Sequence, residues 1–150
     1  MEASPCLYTP QMDKANSWNP DYSVGVNELD LQHQSLFRLV QELQNAIANG
    51  HGPTAVGTAL NKAVNYTIHH FATEEDLMQQ HRFPGAAAHR IEHNVLTLQL
   101  AELQQEWQSG DSNAPEKCLL ILREWLDQHV LESDRQYMPF LSPKGAAENA

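Results

Sequence analysis

Apolar residues recur along this chain at steps of three and four. His33, Leu36, Val40, Leu43 and Ile47 follow that interval, which places side chains on one face of an α-helix. The seam predicts a first helix from Asn27 or Glu28 to Asn49, stopped by Gly50-His51-Gly52-Pro53. Val56, Leu60, Val64, Thr67, His70 or Phe71, Glu74 and Leu77 or Met78 form the inner face of a second helix, running from an N-cap near Thr54 to about Gln80. Arg82-Phe83-Pro84-Gly85 breaks the chain, and His89, His93, Leu96, Leu100, Leu103 and Trp107 then mark a third helix. Ser109-Gly110-Asp111-Ser112-Asn113 is a loop. Ala114-Pro115-Glu116 opens a fourth helix, with proline tolerated in the first turn and Glu116 favourable to the dipole there. Its seam is Cys118, Leu122, Trp125 and His129, and Pro139 is its expected end.

Four helices of roughly 20 to 27 residues joined by short loops predict an all-α, up-down-up-down antiparallel four-helix bundle, about 30 to 40 Å long. No strand alternation and no internal repeat competes with that reading. The bundle is expected to span residues 18–141, between flexible tails at 1–17 and 142–150. Trp18-Asn19-Pro20 and Tyr22-Ser23-Val24-Gly25-Val26 read as an extended N-terminal arm whose aromatics need a surface to pack on. A chain of 150 residues is long enough for one domain with a real core.

Charge narrows the partners. Nine basic and 19 acidic residues give a net charge of −10, which repels phosphate backbones, so neither nucleic acid nor an anionic membrane surface is expected as a partner. No apolar run approaches the ~20 residues of a membrane span, and Met1-Glu2-Ala3-Ser4-Pro5-Cys6 lacks the basic and apolar regions of a secretory signal. A cytoplasmic protein is expected. Cys6 and Cys118 make no C-x-x-C and no disulfide framework, so both are expected as free thiols. No large apolar stripe is left over outside the seams, and a monomer is the expectation.

The eight histidines carry the candidate chemistry. His70 to Glu74 is an H-x-x-x-E, and His89 to His93 an H-x-x-x-H. Positions i and i+4 lie about 40° apart around a helix, so each pair aims at one spot. Each helix puts a histidine on its inner seam: His33, His70, His89 with His93, and His129. In antiparallel order all five fall at the same end of the bundle. Five buried imidazoles with Glu74 cannot satisfy one another, whereas iron, manganese or zinc would accept such a ligand set. A further carboxylate is open at this point: helical spacing from His129 favours Glu132 at i+3, since Asp134 at i+5 lies about 140° away. His51, His69 and His81 are read as surface residues, and Glu75 as solvent-facing or as a partner of a ligand.

The ordered set Gly25-Val26, Leu29-Asp30-x-Gln32-His33, His70-Phe71-x-x-Glu74-Glu75-x-x-Met78, His89-x-x-x-His93 and Trp125-Leu126-x-x-His129-x-x-x-x-Asp134 resembles the hemerythrins, most closely the single-domain bacterial members. The resemblance covers about Trp18 to Leu141 and fills seven ligand positions, choosing Asp134 over Glu132. It implies one iron held by His89, His93 and His129 and a second by His33 and His70. Glu74 and Asp134 would bridge them together with an oxo or hydroxo group. It further implies that dioxygen binds at the open position of the two-histidine iron and that no residue acts as acid, base or nucleophile. The protein would then be no enzyme but an oxygen store, carrier or delivery protein, with an unidentified oxygen-accepting protein as a conceivable partner. Phe37, Phe71, Trp125 and Leu126 are candidate walls of the oxygen pocket, with Tyr66 nearby, while Leu96 and Met78 read as core. Two other classes remain: an oxygen or redox sensor, against which the short flanking tails argue, and a di-iron oxidase, peroxidase or nitric-oxide-handling enzyme. Enzymes in ferritin-like bundles use glutamate-rich sets with E-x-x-H pairs, a pattern this chain lacks.

Overall fold

The structure is a computed structural model and describes residues 18–50 and 52–142. Its helices are α1 (Asn27–Ala48), α2 (Pro53–Gln80), α3 (Ala86–Gln108) and α4 (Ala114–Gln128), followed by three short turns of changing pitch. No strand occurs among the described residues. The helices pack in a ring, α1 on α2, α2 on α3, α3 on α4 and α4 back on α1, the four-helix bundle that the seams predict. Leu36, Val40, Leu43, Leu60, Val64, Leu100 and Leu122 fill its axis and are almost fully buried. Burying one such side chain contributes about 1.5–3 kcal/mol, so packing of these seams, more than helix propensity, holds the bundle.

Local chemistry sets the ends. In the first turn of α1, Asp30 accepts the Val24 N–H at 2.8 Å and the Ser23 hydroxyl at 2.6 Å, pinning the arm to the helix start. Gly25 has φ +76°, and a Cβ there would lie 2.9 Å from the Cβ of Ser142, so this crossing of arm and C-terminal turn requires glycine. Thr54 is not the cap of α2. The helix begins at Pro53, after Gly52 at φ 97°, and no side chain caps it. Within α2, Gly57 makes room for Trp107, whose Nε1 would stand 2.9 Å from an added Cβ.

The arm lies on the bundle. It contains a single 3-10 turn, Pro20–Tyr22. Tyr22 buries its ring 4.8 Å from that of Phe37 and donates its hydroxyl to Asp127, while Trp18 packs against the core. Arg135 donates to the Asp21 carbonyl from the other end of the chain.

The fourth helix departs from expectation. It is regular only to Gln128; a π turn follows at His129–Ser133, a 3-10 turn at Asp134–Tyr137, and a last α turn at Met138–Leu141. Pro139 therefore sits in the first turn of a short final helix rather than ending a long one. Leu141 and Ser142 are buried. Of the tails expected at 1–17 and 142–150 only Ser142 is among the described residues; the rest, with Cys6 and His51, lies outside them.

The apolar interior is divided in two. A large cluster fills most of the bundle. A small one, Val24, Leu29, Met78, Tyr137 and Leu141, is built from the arm, the facing ends of α1 and α2, and the C-terminal turns. The expected absence of an exposed apolar stripe is not met: Ile91, Val95 and Leu98 on α3 are 64%, 54% and 67% exposed, at the i, i+4, i+7 spacing of one face.

Candidate metal centre

α1 supplies His33, α2 supplies His70 and Glu74, α3 supplies His89 and His93, and the π turn with its successor supplies His129 and Asp134. The fold brings all seven together, none more than 6% exposed. Their donor atoms form two groups, each with all atoms within 4.8 Å of one another: Glu74, His89, His93, His129 and Asp134 in one, and His33, His70, Glu74 and Asp134 in the other. Glu74 and Asp134 belong to both, and they divide their oxygens between them. Glu74 Oε2 lies 3.3 Å from His33 Nε2 and 3.2 Å from His70 Nε2, while its Oε1 lies 3.0 Å from His93 Nε2 and 3.5 Å from His89 Nε2. Asp134 Oδ2 lies 3.1 Å from His33 Nε2, and its Oδ1 lies 3.0 Å from both His89 Nε2 and His129 Nε2.

Several of these atoms are close without being hydrogen-bonded. Glu74 Oε1, both Asp134 oxygens, His70 Nε2 and His93 Nε2 are buried and have no hydrogen-bond partner. Distance alone does not make the bond; the lone pairs must also meet a proton in line. Here they converge on points between the side chains, and leaving so many polar atoms unpaired in a core is costly. A pair of cations at those points satisfies them together, so the residues fit a dinuclear metal centre.

The π turn explains how Asp134 reaches the site. The Asp134 N–H bonds to the His129 carbonyl, an i to i+5 link that adds a residue to the turn and carries i+5 onto the face of i. Regular helix spacing favours Glu132, which is exposed; Asp134 is fully buried. Val130 and Tyr137, both fully buried, anchor the turn on either side.

A ring of outer partners orients the imidazoles. His70 Nδ1 is 2.7 Å from Gln32 Oε1, His93 Nδ1 is 2.9 Å from Glu75 Oε2, and His129 Nδ1 is 3.0 Å from Glu92 Oε1. Each oxygen can only accept, so each Nδ1 donates and each Nε2 keeps its lone pair for the centre. Ser133 donates to Glu92 at 2.8 Å, Thr73 accepts from Gln32 at 3.3 Å, and the Tyr137 hydroxyl donates to Glu74 Oε2 at 2.6 Å. Sequence reasoning missed the roles of Gln32, Glu92, Ser133 and Tyr137. Glu92 sits inside the H-x-x-x-H pair and Gln32 just before His33, but cross-helix pairing leaves no periodic signal.

Burial disfavours charge at every position here, and the carboxylates decide which imidazoles keep it. Burial lowers His33 and His89, yet Asp134 and Glu74 beside them outweigh it, raising the first to about 9 and the second to about 10. At His70 burial prevails over the pull of Glu74, and the ring is lowered. Burial also opposes ionisation of Glu74 and Asp134. The imidazoles of His70, His33 and His89 around it nonetheless hold Glu74 well below the usual carboxylate range. The imidazoles of His129, His33 and His89 do the same for Asp134, against both burial and the charge of Glu74. The paired carboxylates thus demand cationic charge between them, which protons or metal ions can supply. Burial, with the charges of Asp134 and Glu74, raises Tyr137 well above its ordinary value, keeping it a donor.

Aromatic rings back the three-histidine side. Phe71 stacks on His93 with centroids 3.8 Å apart, and Trp125 on His129 at 4.7 Å; Phe71 and Trp125 meet edge-on at 5.1 Å. Phe71 and Leu126 are buried, while Trp125 is half-exposed. Phe37 faces Tyr22, and Tyr66 packs near His69. Leu96 joins the large cluster and Met78 the small one. His69 and His81 are exposed, Glu75 is half-buried, and Cys118 is a buried free thiol pushed up to about 12 by burial.

Comparison with known proteins agrees with this geometry. The family described as hemerythrin HHE cation binding domain matches residues 24–141. The bacteriohemerythrin of Stenotrophomonas maltophilia is 32% identical over 120 residues, 80% of this chain and 77% of that protein. The bacteriohemerythrin of Methylococcus capsulatus is 30% identical, covering 81% and 92%, and a hemerythrin-like protein of Naegleria gruberi is 28% identical, covering 81% and 89%. A crystal structure of wild-type hemerythrin superposes with a TM-score of 0.79 at 30% identity, over 84% of this chain and 97% of that one. Among the described residues no helix is long and apolar enough to cross a membrane.

Proposed function

Since the chain belongs to the hemerythrin family, we propose that it binds dioxygen reversibly at a non-haem di-iron centre, as a store, carrier or delivery protein. The observation that carries this reading is the division of Glu74 and Asp134, each with one oxygen toward His33 and the other toward the His89 group. Carboxylates so placed serve two metals at once. His89, His93 and His129 would hold one iron and His33 and His70 the other, with Glu74 and Asp134 shared between them.

Histidine-rich ligation suits iron, and the His33 and His70 group offers one protein donor fewer than the other, so a metal held there would have more room for a diatomic. When bound, the two irons supply the two electrons that dioxygen binding requires. The protein's own work is positioning. Gln32, Glu75 and Glu92 fix the tautomers of His70, His93 and His129. Tyr137 holds Glu74 in place, and Phe71, Leu126 and the rest of the two apolar clusters shield the converging side chains from bulk water. No nucleophile or general base is needed, consistent with binding rather than catalysis.

The test is an optical spectrum of the iron-loaded, reduced protein without oxygen, with oxygen, and after purging. A visible charge-transfer band that appears with oxygen and fades on purging is expected. Direct conversion to a stable ferric spectrum would instead support a redox sensor or an oxidase. Failure to hold about two irons per chain would refute the centre.

A further inference from the structure

One cavity at the surface reaches a side chain of the buried site. A cavity of about 400 Å³ opens between α3 and the end of α4, with His129 in its lining. His129 is the most exposed of the seven converging side chains. Trp125 also lines the cavity, with its indole nearly parallel to the His129 imidazole, 18° between planes. Val95 and Ile121 give the groove an apolar floor, and Glu92, Glu124 and Glu132 surround it; no lysine or arginine is among its lining residues. On α3, Ile91 and Leu98 extend the apolar face from Val95, and Leu120 stands one turn before Glu124 on α4, all of them exposed.

We propose that this groove is the electron port of the protein, the docking surface for a one-electron carrier protein whose cationic face surrounds an apolar centre. The inference rests on the di-iron reading above. Charge complementarity selects the partner: three carboxylates around an apolar floor repel anionic donors and attract cationic ones. The aromatic stack makes the contact useful, because a carrier seated over Trp125 is one ring from a ligand imidazole. Each encounter oxidises the carrier by one electron, and two encounters return a diferric centre to the diferrous state that binds oxygen. A centre buried this deeply needs such a route to recover from accidental oxidation.

The experiment uses the iron-loaded protein, with iron content and spectrum recorded on the same sample. Carbodiimide cross-linking to cytochrome c, a cationic one-electron carrier, is followed by peptide mapping. Cross-links are expected from Glu92, Glu124 or Glu132. Reduction of the ferric protein by the methyl viologen radical cation is then compared with that of the Glu124→Gln/Glu132→Gln variant. The variant is expected to react roughly three- to tenfold more slowly at low ionic strength, and the difference to vanish at high salt. Cross-links confined to other carboxylates, or an unchanged rate, would overturn the port. A chain that holds no iron sinks the di-iron reading and the electron route with it. A two-iron chain whose groove stays unlinked loses only the port.

Discussion

Tyr137 and Glu74, 63 positions apart, meet through a 2.6 Å hydrogen bond in a fully buried setting. The phenol caps the site from the small apolar cluster and accounts for one lone pair of a carboxylate that both histidine groups share. Replacing it by phenylalanine leaves the ring packing and removes only the donor. Tyr137→Phe is expected to lower stability by about 1.5–3 kcal/mol, the range for a hydrogen bond to a charged group, in urea unfolding of the metal-free protein. An unchanged midpoint would show that Glu74 is held by the imidazoles alone.

Asp134 and Glu132 make a matched pair for a second prediction. Asp134→Ala is expected to yield a helical protein that no longer holds two irons. Glu132→Ala is expected to keep both and to shift stability by less than about 0.5 kcal/mol, as surface substitutions do. Iron analysis with circular dichroism reads both outcomes, and the reverse pattern would mean that the π turn does not deliver Asp134 to the metal.

The outer carboxylates should act on metal affinity. Glu92→Gln and Glu75→Gln each weaken the acceptor that orients His129 or His93. Iron affinity is expected to fall by roughly 10- to 100-fold in each, measured by competition with a chelator. Glu92→Gln also disturbs Ser133, so its loss should be at least as large.

The metal-free protein should respond to pH in two opposite ways. His33 and His89 are raised from 6.5 to about 9 and about 10. Their folded-state advantage is therefore full below pH 6.5 and is lost as pH rises through 9 to 10. Glu74 and Asp134 are depressed, so their contribution is present above the ordinary carboxylate range and is lost in acid. His70, lowered by burial, adds to the loss in acid. Thermal unfolding of the metal-free protein should accordingly show stability falling between pH 6.5 and 10 and again below about pH 4. Flat stability across the alkaline window would show that His33 and His89 are not charged in the folded chain.

The sequence by itself determined which faces turn inward. A period of three and four is a property of each helix alone, so Leu36, Leu60, Leu100 and Leu122 announce their burial, and His33, His70, Glu74, His89, His93 and His129 share those faces. Gly and Pro mark the loops because they restrict or release the backbone locally. Asp134 is different: ideal helix geometry points to Glu132, and only a turn widened to an i to i+5 bond, with Val130 and Tyr137 packed on either side, brings Asp134 inward. The pairings of Gln32, Glu75, Glu92 and Tyr137, and the groove over His129, likewise came from tertiary structure. Each depends on the axial register between helices, which is decided when side chains from distant segments interlock, and no single helix encodes it.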